Sequence, residues 1–89
     1  MAVKFEAGQL GITPGAQDLI PMQEVQIALN RHVDCDWGDV CDEDRAQNEW
    51  ALENEARLMS VYDSVAGERF WIITEADRSS TTILLPSDY

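Results

Sequence analysis

With 89 residues and a formal net charge of −11, this chain is a single small acidic domain spanning residues 1–89. Seventeen carboxylates against six Lys and Arg disfavour direct binding to nucleic acid or to an anionic membrane surface, since both are negatively charged. Two cysteines are too few for a disulfide scaffold, and no apolar run approaches the roughly 20 residues needed to cross a bilayer.

The first ten residues contain Lys4, Glu6 and Gln9 and no long apolar stretch, unlike a signal peptide. Cys35 and Cys41 are therefore expected as reduced thiols in a cytoplasm. Residues 3–12 form an extended-looking start broken by Gly8 and Gly11, expected as a short edge strand. Thr13-Pro14 is a helix-start signal, a capping hydroxyl followed by a proline whose missing N–H costs nothing at the first helical position. The helix it opens is short, because Pro21 biases Ile20 away from helical geometry.

Pro21 opens the next helix, expected to run to about Val33. Met22, Val25, Ala28, Leu29 and His32 or Val33 recur at spacings of three and four and form its core stripe. Arg31 and His32 in the last turn suit the helix dipole. Residues 34–44 show no periodicity; Asp36-Trp37-Gly38-Asp39 reads as a turn, with Trp37 inserted into the core. A third helix is expected from Asp42 to about Arg57, with Asp42, Glu43 and Asp44 at its N-terminus. Ala46, Trp50, Leu52 and Ala56 mark its apolar side, and Arg45–Glu49 and Glu53–Arg57 are charge pairs four residues apart.

Residues 58–63 read as a strand, 64–68 as a turn, and 70–76 and 81–85 as a hairpin joined by Asp77-Arg78-Ser79-Ser80. Helices followed by strands indicate α+β: two main helices packed on a three- or four-stranded antiparallel sheet, ending in a C-terminal β-meander with the hairpin at its centre. Phe70, Ile72 and Thr74 alternate with Trp71, Ile73 and Glu75, so both sheet faces are apolar. Either the helices divide between the faces, or one face meets a second copy through Trp71 or Ile73.

His32, Asp34, Cys35, Asp36, Asp39 and Cys41 gather metal-ligand types within ten residues. The C-x5-C spacing lacks the tight gap of zinc knuckles, and only one histidine is present, so turn, cap and core roles are the stronger reading. A cysteine nucleophile based on Cys35 and His32 would sit among carboxylates that raise the thiol pKa. Glu75, Asp77 and Arg78 at the hairpin tip are better explained as a turn than as an acid–base pair. No catalytic, metal or cofactor residue is assigned, and no enzyme is expected.

Beyond these readings, TPGA (13–16), RH (31–32) with DWGDVCDEDR (36–45), NEWAL (48–52) and WIITEADRSSTTILLPSDY (71–89) carry a resemblance. They resemble a family of short bacterial proteins of plasmids, integrated elements and phages, often called plasmid-related proteins. Some members bear a type I restriction subunit label, for which this chain lacks the length and the methyltransferase motifs. The resemblance implies a bacterial mobile-element setting, where small acidic inhibitors of host defence such as anti-restriction and anti-CRISPR proteins are encoded. It implies no catalytic residue.

Charge and resemblance together point to an interaction protein that binds a basic protein surface, for example that of a nucleic-acid-binding protein. The alternatives are a homodimeric structural or regulatory module and a small metal-binding or enzymatic domain. Nine of the seventeen carboxylates fall within residues 34–55, against one base, Arg45. Capping and pairing account for Asp42, Glu43, Asp44 and Glu49, which leaves Asp34, Asp36, Asp39, Glu53 and Glu55 as the expected partner-binding face.

Overall fold

The computed structural model describes residues 5–89. The elements follow in the order β1 (Gln9–Ile12), α1 (Pro14–Leu19), α2 (Met22–Val33), α3 (Asp42–Asn54), β2 (Leu58–Asp63), β3 (Arg69–Thr74) and β4 (Ser80–Leu84), and a 3-10 turn at Pro86–Asp88 ends the chain. The helices pack on one four-stranded sheet of order β1-β4-β3-β2, an α+β fold with the β3–β4 hairpin at its centre. Of the extended segment expected over residues 3–12, Val3 and Lys4 lie outside the described residues.

The fourth strand departs from the expected antiparallel pattern. β2, β3 and β4 form the antiparallel meander, but β1 joins β4 in parallel, with Leu10 opposite Thr81 and Ile12 opposite Ile83. The whole helical layer lies between β1 and β4 in the chain, long enough for the crossover that parallel pairing requires. Gly8, just before the pairing begins at Gln9, sits at φ +69°, where a Cβ would collide with the Ser79 backbone.

Thr13 caps α1 by accepting from the Ala16 N–H, with Pro14 at the first helical position. In α2 the core stripe is Val25, Ala28, Leu29 and His32; Met22, at the stripe's margin in the first turn, is 56% exposed. α3 needs two corrections. It ends at Asn54, not Arg57, because Glu55 turns into the left-handed region (φ 51°) to lead directly into β2. Its buried residues are Asn48 and Ala51, while Ala46 and Trp50 face water.

A polar clamp sets that rotation. Asn48 Nδ2 donates to Met59 O (2.8 Å), and Asn48 Oδ1 accepts from Met59 N (3.2 Å), so the amide pairs with the outer edge of β2. Trp37 Nε1 donates to Glu49 Oε2 at 2.9 Å. With Asn48 turned inward, Trp50 lies about 200° further round the helix and points out. Neither expected i,i+4 charge pair forms among the described residues, since Glu49 holds Trp37 and Arg57 reaches Glu75 and Tyr89.

By register, Leu58, Tyr62, Phe70, Ile72 and Ile83 share one sheet face. Tyr62, Phe70, Ile72 and Ile83 pack with Ala16 of α1 and with Val25, Ala28 and Leu29 of α2. Leu58 packs with Ala51 of α3 and with Trp37, fully buried as expected. The helices therefore do not divide between the faces. On the far face Val61, Ile73 and Leu84 are buried, and the C-terminal residue folds back so that Tyr89 sits edge-on against Trp71 at 5.6 Å. A second copy approaching this face would meet Trp71 and Tyr89 before Ile73.

The two sheet edges are treated differently. β2 is closed by the chain itself: Val61 N donates to Trp37 O (3.0 Å), Asp39 N donates to Val61 O (2.8 Å), and the Asn48 clamp lies beyond. β1 pairs with no further strand among the described residues.

Candidate interaction face on the third helix

The five expected partner-binding carboxylates fall into two groups. Asp36 accepts from Arg31 Nε (2.8 Å) and Nη2 (3.3 Å) and from the Gly38 N–H, and the Arg31 bond holds its carboxyl below the usual range. Asp39 accepts from Arg69 Nη2 at 2.5 Å, and the same guanidinium grips Asp63. Asp36 thus has an arginine of its own, and Asp39 shares one with Asp63. Asp34, Glu53 and Glu55 are exposed and make no ion pair among the described residues.

Around Glu53 the helix carries more acid than the capping argument left to it. Asp42, Glu43, Asp44, Glu49 and Glu53 lie on α3 with a single base, Arg45, and Glu55 follows at the C-cap. Trp50, 54% exposed, stands on the outward side, with Glu43 two turns before it and Glu53 one turn after. A tryptophan half in water on so acidic a helix is the feature that sequence reasoning missed. The usable signal is geometric: Ala46 and Trp50 cannot share an inward face with Asn48, Ala51 and Leu52, so only one of the two sets can be buried.

The constellation nearest to catalytic chemistry lies elsewhere and is sealed. His32 Nδ1 meets Ser60 Oγ at 2.5 Å, Nε2 meets Thr74 Oγ1 at 2.8 Å, and Thr74 Oγ1 meets Thr81 Oγ1 at 2.7 Å. Thr81 in turn donates to Ala7 O at 2.6 Å. A serine beside a histidine is a nucleophile–base pairing, but all four side chains are fully buried, so no substrate reaches them. Both histidine nitrogens are engaged, which removes His32 from any ligand set. Among the described residues no group of three His, Cys, Asp or Glu comes together to hold a metal.

Two surface grooves, each about 180 Å³, lie between α2 and the sheet. Both fall below the roughly 300–1,000 Å³ of typical small-molecule sites. Cys35 is half-buried and Cys41 exposed, with no disulfide between them. No helix among the described residues is long and apolar enough to cross a membrane. Comparison with protein-family models, curated proteins and solved structures returned no match.

Proposed function

We propose that the protein is an interaction module of a bacterial mobile element that binds a basic protein surface, with α3's outward face as the contact. The observation that carries this reading is Trp50, half exposed on a helix with five carboxylates and one base. Burying the exposed half of an indole contributes on the order of 2–3 kcal/mol, and tryptophan is enriched at the centres of binding interfaces. The surrounding carboxylates select a partner rich in Arg or Lys, whose guanidinium groups can both pair with Glu43 or Glu53 and stack on the ring. Asp34 and Glu55 extend the acidic surface; Asp36 and Asp39, occupied by Arg31 and Arg69, contribute less than the sequence suggested.

A surface that normally holds phosphates answers this description, so the protein competes with nucleic acid for its partner. The resemblance to plasmid-related proteins supplies the setting, a bacterial cytoplasm, and the role, inhibition of a host defence or other nucleic-acid-handling protein. The test is capture of a binding protein from a bacterial host, followed by titration with two variants that keep the fold. Trp50→Ala should weaken binding at least tenfold, roughly 1.4 kcal/mol or more. Glu43→Gln/Glu53→Gln/Glu55→Gln should weaken it and flatten its salt dependence, and duplex DNA or RNA should displace the wild type. Affinity unchanged in both variants would reject α3 as the contact.

A further inference from the structure

The end of the sheet away from α3 has the opposite character. From Gln9 to Asn30 the chain carries only Asp18 and Glu24 of its seventeen carboxylates, and Glu24 accepts from the Val65 N–H at 2.8 Å. Here the edge strand β1 borders an apolar groove formed with α2 by Leu10, Ile12, Met22, Val25 and Leu29, with neutral Gln26 and no charged side chain in its lining. Leu10 is 53% exposed and Met22 56%. Sheet edges are normally blunted by lysine, proline, a bulge or a covering segment. β1, Gln-Leu-Gly-Ile, is short at four residues, which itself limits pairing, but it carries no lysine, proline, bulge or covering segment among the described residues, whereas β2 at the other edge is covered.

We propose that two copies of this chain associate edge to edge through β1, joining their sheets across a two-fold axis. Gln9 N donates inward to Ser79 O (2.9 Å) and Thr13 N to Ile83 O (3.0 Å). By the alternation of a strand, the N–H and C=O groups of Leu10 and Ile12 therefore point outward. Antiparallel pairing that uses all of them has one register: Leu10 opposite Ile12 of the second copy, Ile12 opposite its Leu10, and Gly11 opposite Gly11 on the axis. That register is symmetric, as an isologous dimer requires. It makes four backbone hydrogen bonds and places the side chains of Leu10 and Ile12 on the helix face, where Met22 of each copy flanks the junction.

Electrostatics admits a second copy at this edge more readily than elsewhere on the molecule. Chains of charge −11 repel, and this stretch lets two of them meet with the acidic α3 faces at the far edges of the joined sheet. The proposal is independent of the reading of α3, because the contact includes neither Trp50 nor any carboxylate.

Light scattering or sedimentation of the full chain at high micromolar concentration tests it. The wild type should show twice the 10.0 kDa chain mass. Leu10→Pro removes an outward N–H from an edge position, and Met22→Lys puts a charge at the junction; each should raise the dissociation constant at least tenfold with the circular dichroism unchanged. Should Leu10→Pro lose its fold, Met22→Lys alone decides, since its side chain already faces water. A wild type that stays at single-chain mass, or variants as dimeric as the wild type, overturns the proposal. So does a dimer that Trp71→Lys dissociates and Met22→Lys does not, which would assign the contact to the opposite sheet face.

Discussion

His32 shows how one buried polar side chain is made stable by proton accounting. Each hydroxyl has one proton to give. Thr81 spends its own on Ala7 O, so it must accept from Thr74, and Thr74 must then accept from His32 Nε2–H. Nδ1 is left to accept from Ser60. Burial, aided by the Arg78 charge, pushes the ring's pKa down to about 4 from 6.5, so at neutral pH it is neutral with its proton on Nε2. The unfolded chain takes up a proton at this residue near pH 6.5 and the folded chain does not until about pH 4, so stability rises with pH across that window. We expect stability to be level above about pH 6.5 and to fall by roughly 3 kcal/mol between there and pH 4, measured as the urea midpoint. The arginine- and serine-bonded carboxylates Asp36, Asp63 and Asp77, held below 3.8, lose their contribution only at lower pH. His32→Phe should be less stable at neutral pH and insensitive to pH in that window; a wild-type midpoint that stays flat there would contradict the neutral assignment.

At the scale of elements, α3 depends on a side chain from another part of the chain. Its last turn leaves carbonyls without helical partners, and Glu55 adopts the left-handed cap without the ease of a glycine. Arg78, in the β3–β4 turn at φ 61°, braces this end: Nη2 donates to Ala51 O (3.0 Å), which also accepts from the Glu55 and Ala56 N–H groups, and Nη1 donates to Ala56 O (2.6 Å), just past the helix. Nη1 also reaches Glu75 O at 3.1 Å, so one guanidinium ties the helix end to the hairpin tip. A positive charge is also favourable at a helix C-terminus. Arg78→Ala should cost about 2–3 kcal/mol in chemical denaturation, from the lost charged hydrogen bonds that tie the helix end to the hairpin. Arg78→Lys should recover only part, because a single ammonium nitrogen cannot reach both carbonyls that Nη1 and Nη2 contact separately. Full recovery by lysine would mean that charge alone stabilises the helix end.

For the molecule as a whole, charge is unevenly spent. Arginine pairs take up Asp36, Asp39, Asp63 and Glu75, all exposed enough that each pair adds little. Most of the other carboxylates repel one another across a domain with a radius of gyration of 12.1 Å. The screening length falls from about 30 Å at 0.01 M salt to about 8 Å at physiological ionic strength. Added sodium chloride over that range should therefore raise the melting temperature by a few degrees, roughly 1 kcal/mol for a domain this size. A fall in melting temperature would mean that the exposed ion pairs outweigh the net repulsion. Salt should also act in opposite directions on the two proposed contacts, strengthening β1 pairing and weakening the grip of α3 on a basic partner.

What the chain determined by itself is what few neighbouring residues can decide. Thr13-Pro14 and Pro21 place the helix starts, β-branched and aromatic alternation places β2, β3 and β4, and the order of these elements makes an α+β sheet with the hairpin inside it. Trp37 in an aperiodic loop was recognisable as a core plug. Net charge, summed over all residues, needs no fold at all. Tertiary structure decided whatever depends on partners far apart in sequence. β1 runs parallel to β4 because of where the helical layer returns the chain. α3 turns Trp50 outward because Asn48 finds the edge of β2, eleven residues on. Asp39 is paired because Arg69, thirty residues away, comes to lie beside it. Propensity along a segment is a local free energy that the sequence carries with it. Which face of a helix is buried, and which carboxylate keeps its charge for a partner, is set by contacts that exist only once the sheet has assembled.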